Sequence, residues 1–490
     1  MNFLPLLLIL PFILAGIFWL APKISSHAFR WMALLCSLLP LLVLIMNHDQ
    51  AVGAELNYPW FSAVPIAFHA KVDALSLLFL YLTALIVFFS ICSVDDKVLA
   101  APKFFYFLVF LLEGLLFLFF TMRDLVFFTI FWEAMLLPLY FLINVWGGHK
   151  REAASLKFLI YMIAGSALLV FAVLTLYLAG GKTFDIDQLA AVTSSLTFAP
   201  IACAIFLLAF AVKTPLFPFH GWLPDAYCQA STPATILLAG ILSKAGIYGI
   251  FRIGFELFPL LLKEWSPVLL ALSIAGVFYG GLSAWMQHDF KRLIAYSSFS
   301  HVNFILVGLF VWDATARTGA LLQVFNHGIT ITALFLVAGW LEQRLQTTSL
   351  LNVSGLTQFL PHLSWLTLFF VLASVALPGT NNFVGELLIL YGLFVTDPWV
   401  AGGLALSVIL SVIYMLRWMQ KMYFEGPTFF QEKWVDIGGR EMAIAAPLIA
   451  LVLWVGIYPN PLINAVKPVI VAFQSDLVQS QGHSLSKELP

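Results

Sequence analysis

Long apolar runs separated by short polar stretches make up almost the whole chain. A helix needs roughly 20 apolar residues to cross about 30 Å of hydrocarbon, and about fourteen runs approach that length. They lie near residues 3–20, 29–47, 73–94, 104–121, 124–145, 154–179, 199–219, 233–254, 266–286, 293–312, 318–340, 363–394, 398–421 and 441–463. The sizeable polar segments between them are 48–72, 180–198, 341–362 and 422–440. The pattern predicts an all-α polytopic membrane protein without a soluble domain.

The composition agrees with this prediction and excludes several classes of function. Of the 490 residues, 62% are hydrophobic and only 10% are charged, whereas a soluble protein carries about 25% charged residues. The formal net charge of −1 argues against a nucleic-acid partner. Four cysteines are scattered along the chain without a C-x-x-C spacing, namely Cys36, Cys92, Cys203 and Cys228. Since no nucleotide-binding or haem motif is present either, we expect this chain to bind no cofactor and no metal.

The basic residues of the loops predict the orientation in the membrane. If the N-terminus lies outside, one set of loops holds Lys23, Arg30, Lys97, Lys103, Lys150, Arg151, Lys157, Lys291, Arg292, Arg344, Arg417, Lys421, Lys433 and Arg440. The opposite set holds Lys71, Arg123, Lys182, Arg252, Lys263, Arg317, Lys467 and Lys487. The larger set should face the cytoplasm, which places both termini on the outer side. Only Lys213 and Lys244 are left over, and both lie deep within apolar runs.

A lysine beside two prolines marks the stretch AFAVKTPLFPF, where Pro215 and Pro218 follow Lys213. A proline inside a helix cannot donate the usual hydrogen bond and clashes with the preceding turn, so the helix should break there. Irregular backbone at membrane depth is tolerated only where protein buries it or water reaches it. Ion-transport proteins place charged sites at such broken helices, and Lys244 follows in the next apolar run.

A second break and a weak internal duplication follow from the order of the runs. In VALPGTNNFVGELLIL, Pro378 interrupts an apolar run and Glu386 follows it. Interrupted helices in each half of a chain are typical of transporters built from inverted repeats. We predict N-terminal helices 1–3 in residues 1–103, repeats of five helices in 104–256 and 257–425, and helix 14 with a tail in 426–490. The first interrupted span is the third of its repeat and the second is the fourth of its own, so by position alone the two are not equivalent.

Several other ionisable side chains occur inside the apolar runs, namely Glu113, Glu133, Glu386, His301 and His327. An ionised group at the bilayer centre costs about 2.5–3.5 kcal/mol on insertion scales. These groups must therefore be paired, hydrated or neutral. One interpretation is that they form structural pairs that hold helices together. The other is a path for protons, in which a carboxylate and a buried lysine control each other's proton affinity.

The candidate residues differ in how far the sequence defines them. Glu133 is the natural counter-ion for a buried lysine, whereas Glu113 is equally compatible with a second partner for the lysines and with a packing contact. His301 and His327 lie among hydroxyl and amide side chains that can hold water. A single membrane histidine is often only packed and hydrogen-bonded, but imidazole titrates near neutrality and suits a proton relay.

Four stretches resemble a known family, the antiporter-like membrane subunits of respiratory complex I and the related Mrp-type sodium/proton antiporters. They are FFTIFWEAMLLPLYFLINVWGG, the region from AFAVKTPLFPF to GIYGIFR, DFKRLIAYSSFSHVNF and LPGTNNFVGELLILYG. Within the family, one type of complex I subunit has a glutamate where Glu386 stands, and its sister subunits have a lysine. The resemblance covers about residues 70–425 and implies fourteen spans, two inverted five-helix repeats and broken helices 7 and 12, interrupted at Pro215, Pro218 and Pro378.

The resemblance also implies roles for the buried residues. Glu133 would pair with Lys213, Lys244 would be the central relay, His301 and His327 would extend it, and Glu386 would be the terminal proton site. Glu113 and Lys291 are possible additional members. The wider complex would hold NADH, FMN, iron–sulfur clusters and quinone in other subunits, so that redox chemistry elsewhere drives proton pumping here.

The implied setting is a bacterial inner membrane, with sister antiporter-like subunits on either side and both termini on the periplasmic side. Two other functions stay open. The chain could be the D-type subunit of an Mrp-type sodium/proton antiporter, driven by ion gradients alone. It could also be a structural membrane spacer without a role in transport.

Overall fold

The protein is described by a computed structural model that covers residues 3–22, 25–61, 64–95, 99–193, 196–351, 353–426 and 434–473. The predicted tail beyond residue 473, both chain termini, and the loop residues Lys23, Lys97, Lys433 and Lys487 lie outside this part of the chain. The described residues form two compact units, one within the ranges 1–214, 242–266 and 465–490 and the other within 215–241 and 267–464. The predicted repeat boundaries at residues 103, 256 and 425 stay predictions.

Almost all of the described chain is helical. The α-helices span Leu4–Leu20, Ser26–Met46, His48–Ala51, Ala74–Cys92, Pro102–Thr121, Leu125–Ala134, Leu136–Trp146, Arg151–Leu176, Ile186–Val192, Ala199–Lys213, Leu223–Gln229, Thr232–Leu237, Ser243–Gly249, Pro259–Trp285, Phe290–Phe310, Ala314–Leu345, Pro361–Ser374, Asn381–Thr396, Pro398–Met419, Gly439–Ile457 and Asn460–Phe473. Wider π-helical turns occur at Tyr177–Gly181, Leu238–Leu242, Ile250–Phe255 and Gln420–Phe424.

Eleven helical segments in the described residues are long and apolar enough to cross a membrane. Five shorter apolar helices accompany them: Leu4–Leu20, Ala199–Lys213, Pro361–Ser374, Asn381–Thr396 and Asn460–Phe473. The predicted all-α polytopic class is therefore confirmed, while the count of fourteen spans stays a prediction. The run predicted at 363–394 is divided into two helices, which accounts for part of the difference.

Both predicted helix breaks are present, and side-chain amides hydrogen-bond to backbone groups at or next to each of them. The first helix ends at Lys213, and the next begins at Leu223. In the turn between them, the Asn303 amide donates to the Pro215 carbonyl at 3.3 Å and accepts from the Phe217 N–H at 3.4 Å. These two hydrogen bonds take the place of the water that irregular backbone would otherwise need at membrane depth.

The second break separates Pro361–Ser374 from Asn381–Thr396. Gly379 lies within it at a φ of +91°, a conformation that favours glycine. Asn326 and Asn381 each donate a side-chain N–H to the other's backbone carbonyl, at 2.7 and 3.0 Å. The amides therefore fix the break against the helix Ala314–Leu345.

A β-hairpin occupies the polar segment 48–72, where the sequence analysis predicted no regular structure. Its strands Glu55–Phe61 and Ile66–Lys71 are antiparallel. The Arg123 N–H donates to the His69 carbonyl at 2.8 Å, and the Ile186 N–H donates to the Arg123 carbonyl at 2.8 Å. The hairpin is thus extended by two short segments that link helices of the same unit.

Ion pairs reinforce this extended layer. His69 directs one ring nitrogen at Asp185 (2.6 Å) and the other at Glu55 (2.8 Å). Arg123 pairs with Asp187 and, at 2.8 Å, with Glu256. Since a histidine that donates from both nitrogens must be protonated, this geometry is that of an imidazolium between two carboxylates.

The first unit is packed around aromatic side chains and close helix contacts. Tyr248 makes aromatic contacts with three neighbours: its ring centroid lies 5.1 Å from that of Phe79, 5.5 Å from that of Phe119 and 4.9 Å from that of Phe120. Gly246 faces the end of the Lys213 helix, where a Cβ atom would come within 2.8 Å of the Thr214 nitrogen and 2.9 Å of the Phe210 carbonyl oxygen. Only glycine leaves room for this approach.

We predict that Gly246→Ala lowers the free energy of unfolding by about 1–3 kcal/mol, because the new methyl group meets backbone that has no room to move. The measurement is the thermal unfolding midpoint of the protein in detergent. Gly402→Ala is the matched control, since a Cβ at Gly402 meets nothing within 4 Å. Equal midpoints for the two variants would contradict the close packing described for Gly246.

The hairpin should loosen at high pH. The hydrogen bond to Asp185 raises the pKa of His69 above its ordinary value; burial opposes this rise and the hydrogen bond to Glu55 adds to it. A raised pKa means that the stabilisation is fully present below the ordinary value of about 6.5 and is lost as the pH rises through the folded-state pKa.

We therefore expect the hydrogen-exchange protection of the Arg123 amide, which donates to the His69 carbonyl, to fall as the pH is raised above about 6.5, after correction for intrinsic exchange. In His69→Gln the protection should be weaker and independent of pH. A wild-type protection factor that stays constant as the pH rises would show that His69 does not fasten the hairpin.

Candidate functional site

Lys213 is the last residue of its helix and is almost completely buried. Its Nζ atom donates to the Trp132 carbonyl at 3.1 Å and lies 3.8 Å from the centroid of the Trp132 ring. The Met135 sulfur lies 3.9 Å away. A cation over the face of an indole ring gains about 2 kcal/mol when it is desolvated. The lysine is therefore held by a carbonyl dipole and an aromatic face.

Glu133, the expected counter-ion, takes a different place from the one predicted. The ion pairs of the described residues do not include one between Glu133 and Lys213, and Glu133 is exposed on the surface of the chain. Successive helical residues point about 100° apart, so the contact of Trp132 with the lysine turns Glu133 away from it. The prediction that this span buries Glu133 is therefore wrong when the chain is considered without any neighbouring subunit.

Lys244 and Glu113 are both completely buried in the same unit. Lys244 lies on the short α-helical segment Ser243–Gly249, which is preceded and followed by π-helical turns. Neither carboxylate oxygen of Glu113 has a hydrogen-bond partner among the described residues. An ionised carboxylate without partners would be very costly there, so Glu113 requires a proton or bound water.

The second unit brings together three predicted residues. The His301 Nδ1 atom lies 3.1 Å from a Glu386 carboxylate oxygen, and the rings of His301 and His327 are 5.8 Å apart. The Gln323 side chain donates to the same Glu386 oxygen at 3.3 Å. Gly385 lets Gln323 approach, since a Cβ at that position would collide with its side chain. The result is a buried carboxylate held by an imidazole and an amide.

Lys291, a possible additional member, lies in the first turn of the helix Phe290–Phe310. Its Nζ atom pairs with Glu342 at 2.9 Å. This lysine therefore has a partner of its own near the helix ends, and its membership in a relay stays a prediction.

The sequence analysis placed Arg252 in a loop, and the structure shows that this is wrong. Arg252 lies in the π-helical turn Ile250–Phe255 and is 1% exposed. It pairs with Asp73 at 2.7 Å and with Glu256 at 2.7 Å. The four-residue spacing of Arg252 and Glu256 was the one available signal, because such side chains meet on a helix surface.

One group of side chains has the spacing of a metal site. Ligand atoms of His69, Asp185 and Asp187 lie within 4.8 Å of one another. However, Arg123 and Lys71 both pair with Asp187. Two cations already balance these carboxylates, so we interpret the group as an ion-pair cluster and not as a metal centre.

Buried titratable side chains lie near both helix breaks. The Lys213 amine lies at the first break, and the Glu386 carboxylate with its His301 imidazole lies near the second. Burial in an apolar medium disfavours each charged form, so small changes in nearby charge shift proton occupancy.

Comparisons with known proteins agree with this chemistry. The family described as "NADH:quinone oxidoreductase/Mrp antiporter, TM" matches residues 122–428. "NADH-quinone oxidoreductase subunit M" of Pseudomonas aeruginosa is 35% identical over 94% of this chain and 95% of its own length. The protein of that name from Escherichia coli (strain K12) is 34% identical over 97% and 98%, respectively.

Solved structures give the same result. A chain of "Respiratory complex I from Thermus thermophilus with bound NADH" is similar with a TM-score of 0.88 and 31% identity, over 97% of this chain and 99% of that one. A chain of the "Mrp complex from Dietzia sp. DQ12-45-1b" has the same fold, with a TM-score of 0.86 and 21% identity over 98% and 99%. The resemblance to antiporter-like complex I subunits that the four motifs predicted is confirmed: the chain belongs to the NADH:quinone oxidoreductase/Mrp antiporter family of transmembrane proteins.

Proposed function

We propose that this chain is a proton-translocating membrane subunit of an NADH–quinone oxidoreductase, whose redox cofactors are bound by other subunits. The observation that carries the proposal is the pair of buried ionisable groups at the helix breaks. Lys213 ends one interrupted helix. Glu386 lies in the second turn of the helix that follows the other break, where it contacts His301. Selection for stability alone would favour apolar residues at both places.

In the first unit, Lys213 is the proton-binding group that responds to its surroundings. Trp132 holds the ammonium without neutralising it, because a carbonyl and an indole face carry no net charge. An approach or withdrawal of the Glu133 carboxylate then changes the proton affinity of the lysine strongly. At an effective dielectric constant of about 20, two unit charges 4 Å apart interact by about 4 kcal/mol. Lys244 receives the proton next.

In the second unit, His301 and Glu386 share a proton. The 3.1 Å contact lets the imidazole donate to the carboxylate, and His327 lies beside the same imidazole. Gln323 holds the carboxylate in position through its own N–H. Glu386 is the terminal site, from which the proton leaves to the outer side.

The exposed position of Glu133 favours a contact between this surface and a neighbouring membrane subunit. A carboxylate on the outer surface of a span is costly against lipid, and a cationic or polar surface of a partner removes that cost. We propose sister antiporter-like subunits on either side of the chain, in a bacterial inner membrane with both termini outside.

The relatives favour this function over an Mrp-type antiporter, since subunit M sequences are 34–35% identical and the Mrp chain is 21% identical. Sodium-dependent exchange in vesicles that lack NADH would favour the antiporter. Insensitivity of transport to substitution of every buried charge would favour a structural spacer.

Replacing Lys213 tests the first cluster. We expect Lys213→Met to lower the number of protons moved per NADH oxidised at least about tenfold, because a thioether cannot carry the proton. The measurement is proton uptake by inverted membrane vesicles, with complex assembly quantified in the same membranes. The exposed Lys263 supplies the control: Lys263→Met should pump normally. Normal pumping by an assembled Lys213→Met complex would refute the relay.

Replacing Glu386 tests the second cluster. Glu386→Gln preserves the size of the side chain but removes its ability to bind and release a proton, so pumping should fall by about tenfold or more while assembly is retained. Glu264→Gln, at an exposed position of the same chain, should behave like the wild type. If both glutamine variants pumped equally well, Glu386 would not be the terminal site.

A further inference from the structure

Arg252, on the helical segment that follows Lys244, is the centre of an ion-pair network. Arg252 donates to the two carboxylate oxygens of Asp73 at 2.7 and 2.9 Å and to Glu256 at 2.7 Å. It also donates to the Ser76 hydroxyl at 3.0 Å and, through Nε, to the Tyr248 hydroxyl at 3.0 Å. All nitrogens of this guanidinium therefore have partners, and its position is fully determined.

Tyr248 connects this network to Lys244. It lies four residues after Lys244 and four before Arg252, and side chains four residues apart share a helix face. Its hydroxyl accepts from Arg252 and donates to the Phe120 carbonyl at 2.6 Å. The face that carries Lys244 is thereby held against the helices Ala74–Cys92 and Pro102–Thr121.

A π-helical turn, Ile250–Phe255, holds Arg252. A π turn contains one more residue than an α turn, and such turns occur often at functional sites. If it relaxed to an α turn, residues on its two sides would rotate relative to each other by about 100°. The π turn therefore sets how the segment that carries Lys244 is rotated relative to the residues that follow the turn.

We infer that the Asp73–Arg252 ion pair positions Lys244, by keeping the π turn in place and so fixing the direction of the lysine side chain. The inference rests on the proposed role of Lys244 in proton transfer. Asp73 and Arg252 are positioning residues, since neither binds the transferred proton. They act through Tyr248 and the helix backbone.

Stability alone does not account for such a pair. The Arg252 side chain is 2% exposed and that of Asp73 is 36% exposed, so the arginine is the buried partner of the pair. Replacing a buried ion pair by apolar residues is often neutral or stabilising. The best-attested benefit of a buried pair is that it specifies one register among several. A helix with a movable π turn is a case in which the register needs to be specified.

The test variant is Asp73→Asn. Asp73 also accepts from the Ser76 N–H and caps the helix Ala74–Cys92, and asparagine is an equally good cap. The change removes the negative charge and one hydrogen bond to Arg252, because the amide NH2 that replaces one carboxylate oxygen is a donor. Glu441→Gln is the matched control, because Glu441 receives two hydrogen bonds from Arg344, each 2.8 Å long, and also caps a helix.

The experiment uses the whole complex in inverted membrane vesicles and measures protons moved per NADH oxidised over a series of pH values. We expect Asp73→Asn to assemble and to oxidise NADH, but to pump at least about tenfold less, as misplaced reacting groups do. The pH profile of pumping should shift as well. Asp73→Glu should restore most of the pumping, and Glu441→Gln should match the wild type.

Two results would overturn the inference. One is a wild-type pumping ratio and pH profile in Asp73→Asn. The other is a loss of pumping in proportion to lost complex, with an unchanged pH profile, which a structural role predicts. If Asp73→Asn does not assemble, Tyr248→Phe replaces it, since this change removes the hydroxyl contacts to Phe120 and Arg252 but preserves the ring. A wild-type pH profile in Tyr248→Phe would then refute positioning.

Lys244→Met separates this inference from the proposed function. Full pumping by Lys244→Met would refute the role of Lys244 and the positioning role together. Loss of pumping in Lys244→Met, with normal pumping in Asp73→Asn, would refute the positioning role alone.

Discussion

Hydrocarbon offers no hydrogen-bond partner to a polar group, and this constraint governs both units. Every peptide group left bare by a helix break must find a substitute inside the protein. The chain supplies side-chain amides for this purpose. Asn303 serves the turn after the first break, and Asn326 serves the second break together with Asn381. These amides therefore supply hydrogen bonds to backbone groups at or next to both interruptions.

The same constraint decides how the buried charges are held. Lys213 has a carbonyl and an aromatic face, whereas Glu386 has an imidazole and an amide. Neither is locked in a fully balanced ion pair of the kind that Arg252 forms with Asp73. The contrast separates two uses of charge in one protein, because a residue that must exchange a proton needs partners that tolerate both of its states.

The features that could be predicted from the sequence are those that depend on local covalent chemistry, such as the helix breaks. The breaks at Pro215 and Pro378 were predicted because proline removes a helix hydrogen bond and clashes with the preceding turn, although Pro11, Pro40, Pro267 and Pro447 lie inside helices. The family resemblance implied that His301, His327 and Glu386 belong to one relay. It did not give the contact of His301 with Glu386, since these residues lie on different helices. The hairpin Glu55–Lys71 was missed, because its strands are short and largely exposed on one side.

Burial set by distant partners could not be predicted. Arg252 is buried by Asp73, which is 179 residues away in the sequence, and its place near the end of an apolar run suggested a loop. The exposure of Glu133 had a similar cause. Its span is apolar on every side, so periodicity could not show which face packs against the Lys213 helix.

The Asn303 amide has a mechanical consequence. One planar group holds the turn at Pro215 and Phe217 with both its nitrogen and its oxygen, and it belongs to the helix that carries His301 two residues earlier. Gly276 leaves space for the amide to lie there. A displacement of the turn must therefore move that helix as well or break both hydrogen bonds, which couples the position of the turn to that of the His301 imidazole.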